Sequence, residues 1–149
     1  VRAERYTPVD DTGIPVGGHA PVEGTPFDLR HPTLLSPAVR EPHPQVVSAR
    51  GIDHNLVTDG AGLRPVATLE CARSGLRMVL SSDQPGLQVY TGNFLDGSSA
   101  GTDGRLLRQG AGIALEPQLH PDTPNHPDWP SAVLEPGERY EHVLEWRFA

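Results

Sequence analysis

The sequence predicts an all-β fold, an antiparallel β-sandwich, and three observations point to it. Turn-forming residues are dense: the 149 residues include Gly 16 and Pro 16, which leaves few stretches long enough for a substantial helix. The apolar residues, 36% of the chain, fall in short runs that alternate with polar ones. Turn residues bound each run, which is the signature of half-buried strands.

Each element follows from these rules. Prolines recur from Pro8 to Pro65 too closely for continuous helix, so the first 65 residues are expected to be short strands and ordered loops. Residues 66–71, a Ser74-Gly75 turn and residues 76–82 read as a β-hairpin, with Leu76, Met78 and Leu80 on one face. After Pro85-Gly86, Leu87 and Val89 face one way and Gln88 and Tyr90 the other. Residues 93–97 read as a turn and 97–101 as a flexible loop. In 113–118, Ile113 and Leu115 share one face while Ala114, Glu116 and Gln118 share the other, and Pro117 is expected to end or bulge the strand. Tyr140, Leu144, Trp146 and Phe148 alternate with Arg139, Glu141, Glu145 and Arg147, which predicts a half-buried closing strand over 139–148.

Composition removes several classes of function. The net charge of -7 carries no basic run, so neither nucleic acid nor an anionic membrane is an expected partner. No apolar stretch approaches the roughly 20 residues a bilayer span needs, and the charged opening residues are no signal-peptide core. Cys71 stands alone, so it forms no internal disulfide and is expected to be a small buried or half-buried side chain. A cytoplasmic location is expected. The seven histidines lack the spacing of zinc motifs, so no metal site is expected. The serines of 97–101 only loosely resemble a hydrolase nucleophile turn, and there is no glycine-rich phosphate loop leading into a helix.

A set of polar side chains of the kind that recognise sugars remains: Asp53 beside His54, Gln88, Asn93, Asp96 and Glu116. Planar carboxylates and amides suit vicinal hydroxyls because two polar atoms engage two neighbouring OH groups at once. Taken singly, each also fits an ordinary role: Asp53 as a turn cap, Gln88 as a solvated strand residue, Glu116 as a surface acid.

Six segments, in order and at consistent spacing, give these residues a context. They are residues 5–10 (RYTPVD), 22–30 (VEGTPFDLR), 51–55 (GIDHN), 85–97 (PGLQVYTGNFLDG), 115–118 (LEPQ) with Pro121, Asp122 and Asn125, and 134–138 (LEPGE). The series resembles the galactose mutarotase (aldose 1-epimerase) family from one end of the chain to the other. The resemblance implies a galactose-mutarotase-like supersandwich of which residues 1–149 are the C-terminal part of a single domain. It implies that Glu116 is the catalytic base and that Asp53 and Gln88 bind the sugar, an aldohexose such as galactose or glucose. It implies α/β anomer exchange by acid/base ring opening, without cofactor or metal.

The family's general-acid histidine lies in its N-terminal half, and no histidine here falls in a matching motif. The chain is therefore expected to be a truncation, a processed half or one piece of a split enzyme, inactive alone. Its expected partner is the missing N-terminal half, and exposed apolar surface and open strand edges are expected on it. Two other readings compete: a non-catalytic carbohydrate-binding module using the same cleft, and a purely structural β domain.

Overall fold

Ten short strands and two helices of four and six residues make up the computed structural model, which describes all residues Val1–Ala149. In chain order they are β1 (Ala3–Tyr6), β2 (Ala20–Pro21), α1 (Leu35–Ala38), α2 (Pro44–Ala49), β3 (Asp53–Thr58), β4 (Arg64–Cys71), β5 (Leu76–Ser82), β6 (Gly86–Tyr90), β7 (Asp96–Ala100), β8 (Leu106–Arg108), β9 (Ala114–Gln118) and β10 (Leu144–Phe148). A single 3-10 turn, Thr123–Asn125, follows β9. The helices start where proline permits: Pro44 occupies the first turn of α2, where its missing N–H costs nothing.

Every strand pairing is antiparallel. One sheet of five runs β2-β1-β3-β6-β9, a second of three runs β10-β5-β4, and β7 with β8 forms a separate ribbon. Leu56, Leu87 and Val89 of the first sheet join Val66, Ala67 and Leu80 of the second in one buried cluster, with Phe27 and Ile52 from the intervening loops. Each large side chain so buried contributes on the order of 1.5–3 kcal/mol. The Arg64 guanidinium ties the corner between the sheets, donating to the carbonyls of Asp59, Ser82 and Gln84.

The β4–β5 hairpin and the alternation in β6 agree with the sequence reading. Four other expectations are corrected. Pro117 does not break its strand; it pairs with Leu87 inside the β6–β9 ladder, because β9 is the last strand of the sheet and no neighbour needs its N–H. Residues 97–101 are not a loose loop, since Asp96 and Ala100 pair with Arg108 and Leu106.

The closing strand is shorter than its alternation suggests and begins at Leu144. Asp83 captures the His142 ring at 2.6 Å and the Val143 N–H at 3.0 Å, and Gln84 donates to the Tyr140 hydroxyl at 3.0 Å, which draws residues 140–143 off the ladder. Its apolar face is not half-buried either: Trp146 is 52% and Phe148 64% exposed, at the margin of the core. Cys71 and its cross-strand partner Leu76 are also exposed, because the hairpin tip extends past the core. Leu34 and Val133 add to the apolar surface expected of the chain.

Candidate active site

Period-two alternation decides which side chains leave the core. In β3, His54 and Leu56 point inward, so Asp53 and Asn55 face the other way; in β6 Leu87 and Val89 point inward and Gln88 faces out. In β9, Leu115 packs against the core and Glu116 is exposed. The ladders then align them. Asn55 pairs with Gln88, Gln88 pairs with Glu116, and Gly86 pairs with Gln118, so the polar residues form a row across three adjacent strands.

The row is the floor of a cleft of about 310 Å³. Asp53, Gln88 and Glu116, the three site residues expected from the sequence, all line it, together with Asn55, Gln118 and Thr7. Gln118 Nε2 donates to Gln88 Oε1 at 3.4 Å, and Gln88 Nε2 donates to Asp53 Oδ1 at 2.8 Å. This chain of amides fixes which end of Gln88 meets the carboxylate. It leaves the second Gln88 N–H, the other Asp53 oxygen and the whole Glu116 carboxylate for a ligand. Glu116 enters none of the chain's salt bridges. Such a surface can bind vicinal hydroxyls and present one carboxylate to a proton.

Two other polar candidates lie elsewhere. Asn93 is buried and donates to the Ile52 carbonyl at 2.9 Å, so it braces the loop before β3. Asp96 sits on the β7–β8 ribbon and accepts from the Ser98 N–H at 2.8 Å. Asn55, Gln118 and Thr7 join the cleft in addition to the site residues expected from the sequence. For Asn55 and Gln118 alternation carries the signal: each stands two positions after an expected site residue, on the same face. Thr7 follows β1 and gives no local sign of its role. Beside the cleft, Trp129 stacks on the ring of His19 at 4.4 Å and on that of His126 at 3.8 Å.

His54 is part of the core beneath the floor, its ring tilted against Phe27 with the centroids 4.2 Å apart. Its Nδ1 accepts the Asp53 N–H at 3.1 Å, so its proton sits on Nε2 and is donated to Gln45 Oε1 at 3.0 Å. Burial, with His43 nearby, pushes its pKa down to about 4. The unfolded ring takes its proton near 6.5, so the folded state is favoured fully above that value and loses this contribution as pH falls toward 4. Urea unfolding is expected to show stability falling by about 1.4 kcal/mol per pH unit from this one ring within that window. The slope is expected to fall by that amount in His54→Gln but not to vanish, because His120, also pushed down to about 4, titrates in the same window. Asp28, held down to about 2 by hydrogen bonds from Arg30, loses its contribution only below the 3.8 of a free carboxyl and so adds nothing within that window.

An antiparallel β fold whose sheet face carries a row of carboxylates and amides in one cleft is the architecture of a small-ligand site built on a β-sandwich. The family model for aldose 1-epimerase matches residues 1–147, and the chain belongs to that family. It is 41% identical over 150 residues to the galactose mutarotase of Mus musculus, covering 100% of this chain and 42% of that protein. To the aldose 1-epimerase of Escherichia coli (strain K12) it is 37% identical over 153 residues, covering 99% of this chain and 43% of the other. The crystal structure of the GalM/aldose epimerase homologue from C. elegans superimposes with a TM-score of 0.86 at 26% identity, over 99% of this chain and 44% of that one. The chain thus spans less than half the length of the relatives it matches, and the match is to their C-terminal portion. No helix is long and apolar enough to cross a membrane.

Proposed function

We propose that this chain carries the base side of an aldose 1-epimerase site, which interconverts the α and β anomers of an aldohexose such as galactose or glucose. Glu116 takes the proton from the anomeric O1–H while an acid protonates the ring oxygen, and the C1–O5 bond breaks to give the open-chain aldehyde. Rotation about C1–C2 presents the other carbonyl face. Closure returns the O1 proton from Glu116 and the ring-oxygen proton to the acid. Carboxylates suit the basic role near neutrality and imidazolium groups the acidic one. Asp53 and Gln88, joined by their 2.8 Å hydrogen bond, hold the sugar hydroxyls. The observation that carries the reading is the pairing of Glu116 directly opposite Gln88 on the floor of one cleft. A volume of about 310 Å³ suits a single monosaccharide, since ligand pockets run from roughly 300 Å³ upward.

The acid belongs, on this reading, to a complementary N-terminal half that also covers the exposed apolar margin around Trp146 and Phe148. Polarimetry of freshly dissolved α-galactose or α-glucose tests it. The chain completed by that half is expected to accelerate the approach to the anomeric equilibrium, and the chain alone is not. Galactose binding by the completed protein without any acceleration would instead favour a non-catalytic carbohydrate-binding module.

A further inference from the structure

The two walls of the cleft come from distant parts of the chain. Thr7, Val9 and Pro15, after β1, form one; Gln118 and Pro121, at the end of β9 and beyond, form the other. A single side-chain amide reaches toward both. Asn55, 2% exposed, donates from Nδ2 to Thr7 Oγ1 at 2.9 Å and to His120 Nδ1 at 3.1 Å. Thr7 Oγ1 is also hydrogen-bonded to His19 Nδ1 at 3.1 Å. The His120 ring accepts at Nδ1, so it keeps its proton on Nε2 and is neutral. Its surroundings favour this state: burial, then His19 and Arg5, push its pKa down to about 4. Burial, Arg5 and His126 lower the His19 pKa, with Asp128 opposing.

The orientation of the amide is set from its other side. A Cβ on Gly86 would overlap Asn55 Oδ1 and stand 3.0 Å from His120 Nδ1, so the carbonyl oxygen, which has no hydrogen-bond partner, rests against the Gly86 Cα. Turning the amide over would press the NH2 group against carbon and forfeit both N–H bonds. The observed orientation keeps both and leaves the oxygen a weak Cα–H contact.

We infer that Asn55 is a positioning residue of the cleft: its NH2 group ties both walls to the floor and so sets the width at which a ligand is held. The ligand named here rests on the sugar-site reading above, whereas the tie itself stands on the hydrogen bonds. Ring contacts reinforce it, since His19 meets His120 at 4.5 Å and stacks on Trp129.

Asn55→Leu is the informative change, with Asn55→Asp as its rescue. Leucine keeps the approximate shape but removes both N–H donors, so the walls lose their tie, whereas the carboxylate of Asn55→Asp accepts from the Thr7 hydroxyl and from the Nδ1–H tautomer of His120 and restores it. Galactose affinity of the completed enzyme, measured by calorimetry, is expected to fall about tenfold in Asn55→Leu and to stay within about threefold of the parent in Asn55→Asp. Because binding is read rather than turnover, the result does not depend on which residue is the base. Nitrogen-15 spectra of the unsubstituted chain give an independent reading: His120 is expected as the Nε2–H tautomer, with the Asn55 NH2 signals moving as His120 titrates. A protonated Nδ1 on His120 in the unsubstituted chain, unaltered affinity of Asn55→Leu, or an equal loss in Asn55→Leu and Asn55→Asp would overturn the assignment. Failure of the parent protein to bind galactose at all would sink the sugar-site reading and leave the spectra to decide the tie.

Discussion

Glu116→Gln is expected to slow anomer exchange in the completed enzyme by about 10³-fold, within the 10²–10⁴ span of general-base contributions. Glutamine keeps the length and planarity of the side chain and one carbonyl acceptor, but it cannot take up the O1 proton. The structure gives little reason for a wider effect. Glu116 is exposed on the cleft side of β9, while its neighbour Leu115 packs against the core whatever stands at 116. Exposed substitutions of this kind change stability by no more than about 0.5 kcal/mol. Asp53 and Gln88 retain their mutual hydrogen bond, so sugar affinity is expected to stay within a few-fold. The loss should therefore appear in kcat and in kcat/KM alike, the signature of an interaction made only in the transition state. Turnover near that of the parent would remove Glu116 from the base role and leave the cleft a binding site.

Glu116 and Gln88 were legible because alternation is a local property. Once Leu87 and Val89, or Ile113 and Leu115, are assigned inward, the intervening polar residue has one direction left. The same rule separates Asp53 from His54, which lie next to each other in sequence yet serve the cleft and the core respectively. What alternation cannot convey is which strand lies beside which. Asn55 is defined by partners 48 and 65 residues away, Thr7 and His120, and only the ladder order brings them together. Pro117 looked like a breaker because its missing N–H matters only where a neighbouring strand needs it, and edge position is set by topology. The closing strand misled for a third reason: alternation in 139–148 is continuous, but side-chain bonds from Asp83 and Gln84 compete successfully with the ladder over its first half. Face is local and readable; neighbours and edges are not.

Gly51→Ala is expected to destabilise the chain by about 3 kcal/mol or more, the largest effect on stability anticipated for a single methyl group here. Two independent costs combine. The backbone at Gly51 has φ of 151°, a conformation that side chains with a Cβ rarely adopt. A Cβ built there would also overlap the Asn93 amide oxygen, lying 2.7 Å from Asn93 Cγ and 2.9 Å from Thr91 Oγ1. Those two side chains have little freedom to yield. Thr91 Oγ1 accepts the Ile52 N–H at 3.1 Å and donates to Asn93 Oδ1 at 2.5 Å, while Asn93 Nδ2 donates to the Ile52 carbonyl at 2.9 Å. Moving either side chain unpairs buried polar atoms at the residue that leads into Asp53. The damage should therefore extend from the core to the cleft: a lower midpoint in urea, together with a weaker hold on the sugar where Asp53 meets Gln88. Asn93→Ala in the Gly51→Ala background separates the two costs. Removing the amide relieves the overlap but not the backbone strain, so this double substitution is expected to be destabilised by less than the sum of its parts. Strict additivity would show that crowding against Asn93 is not part of the effect.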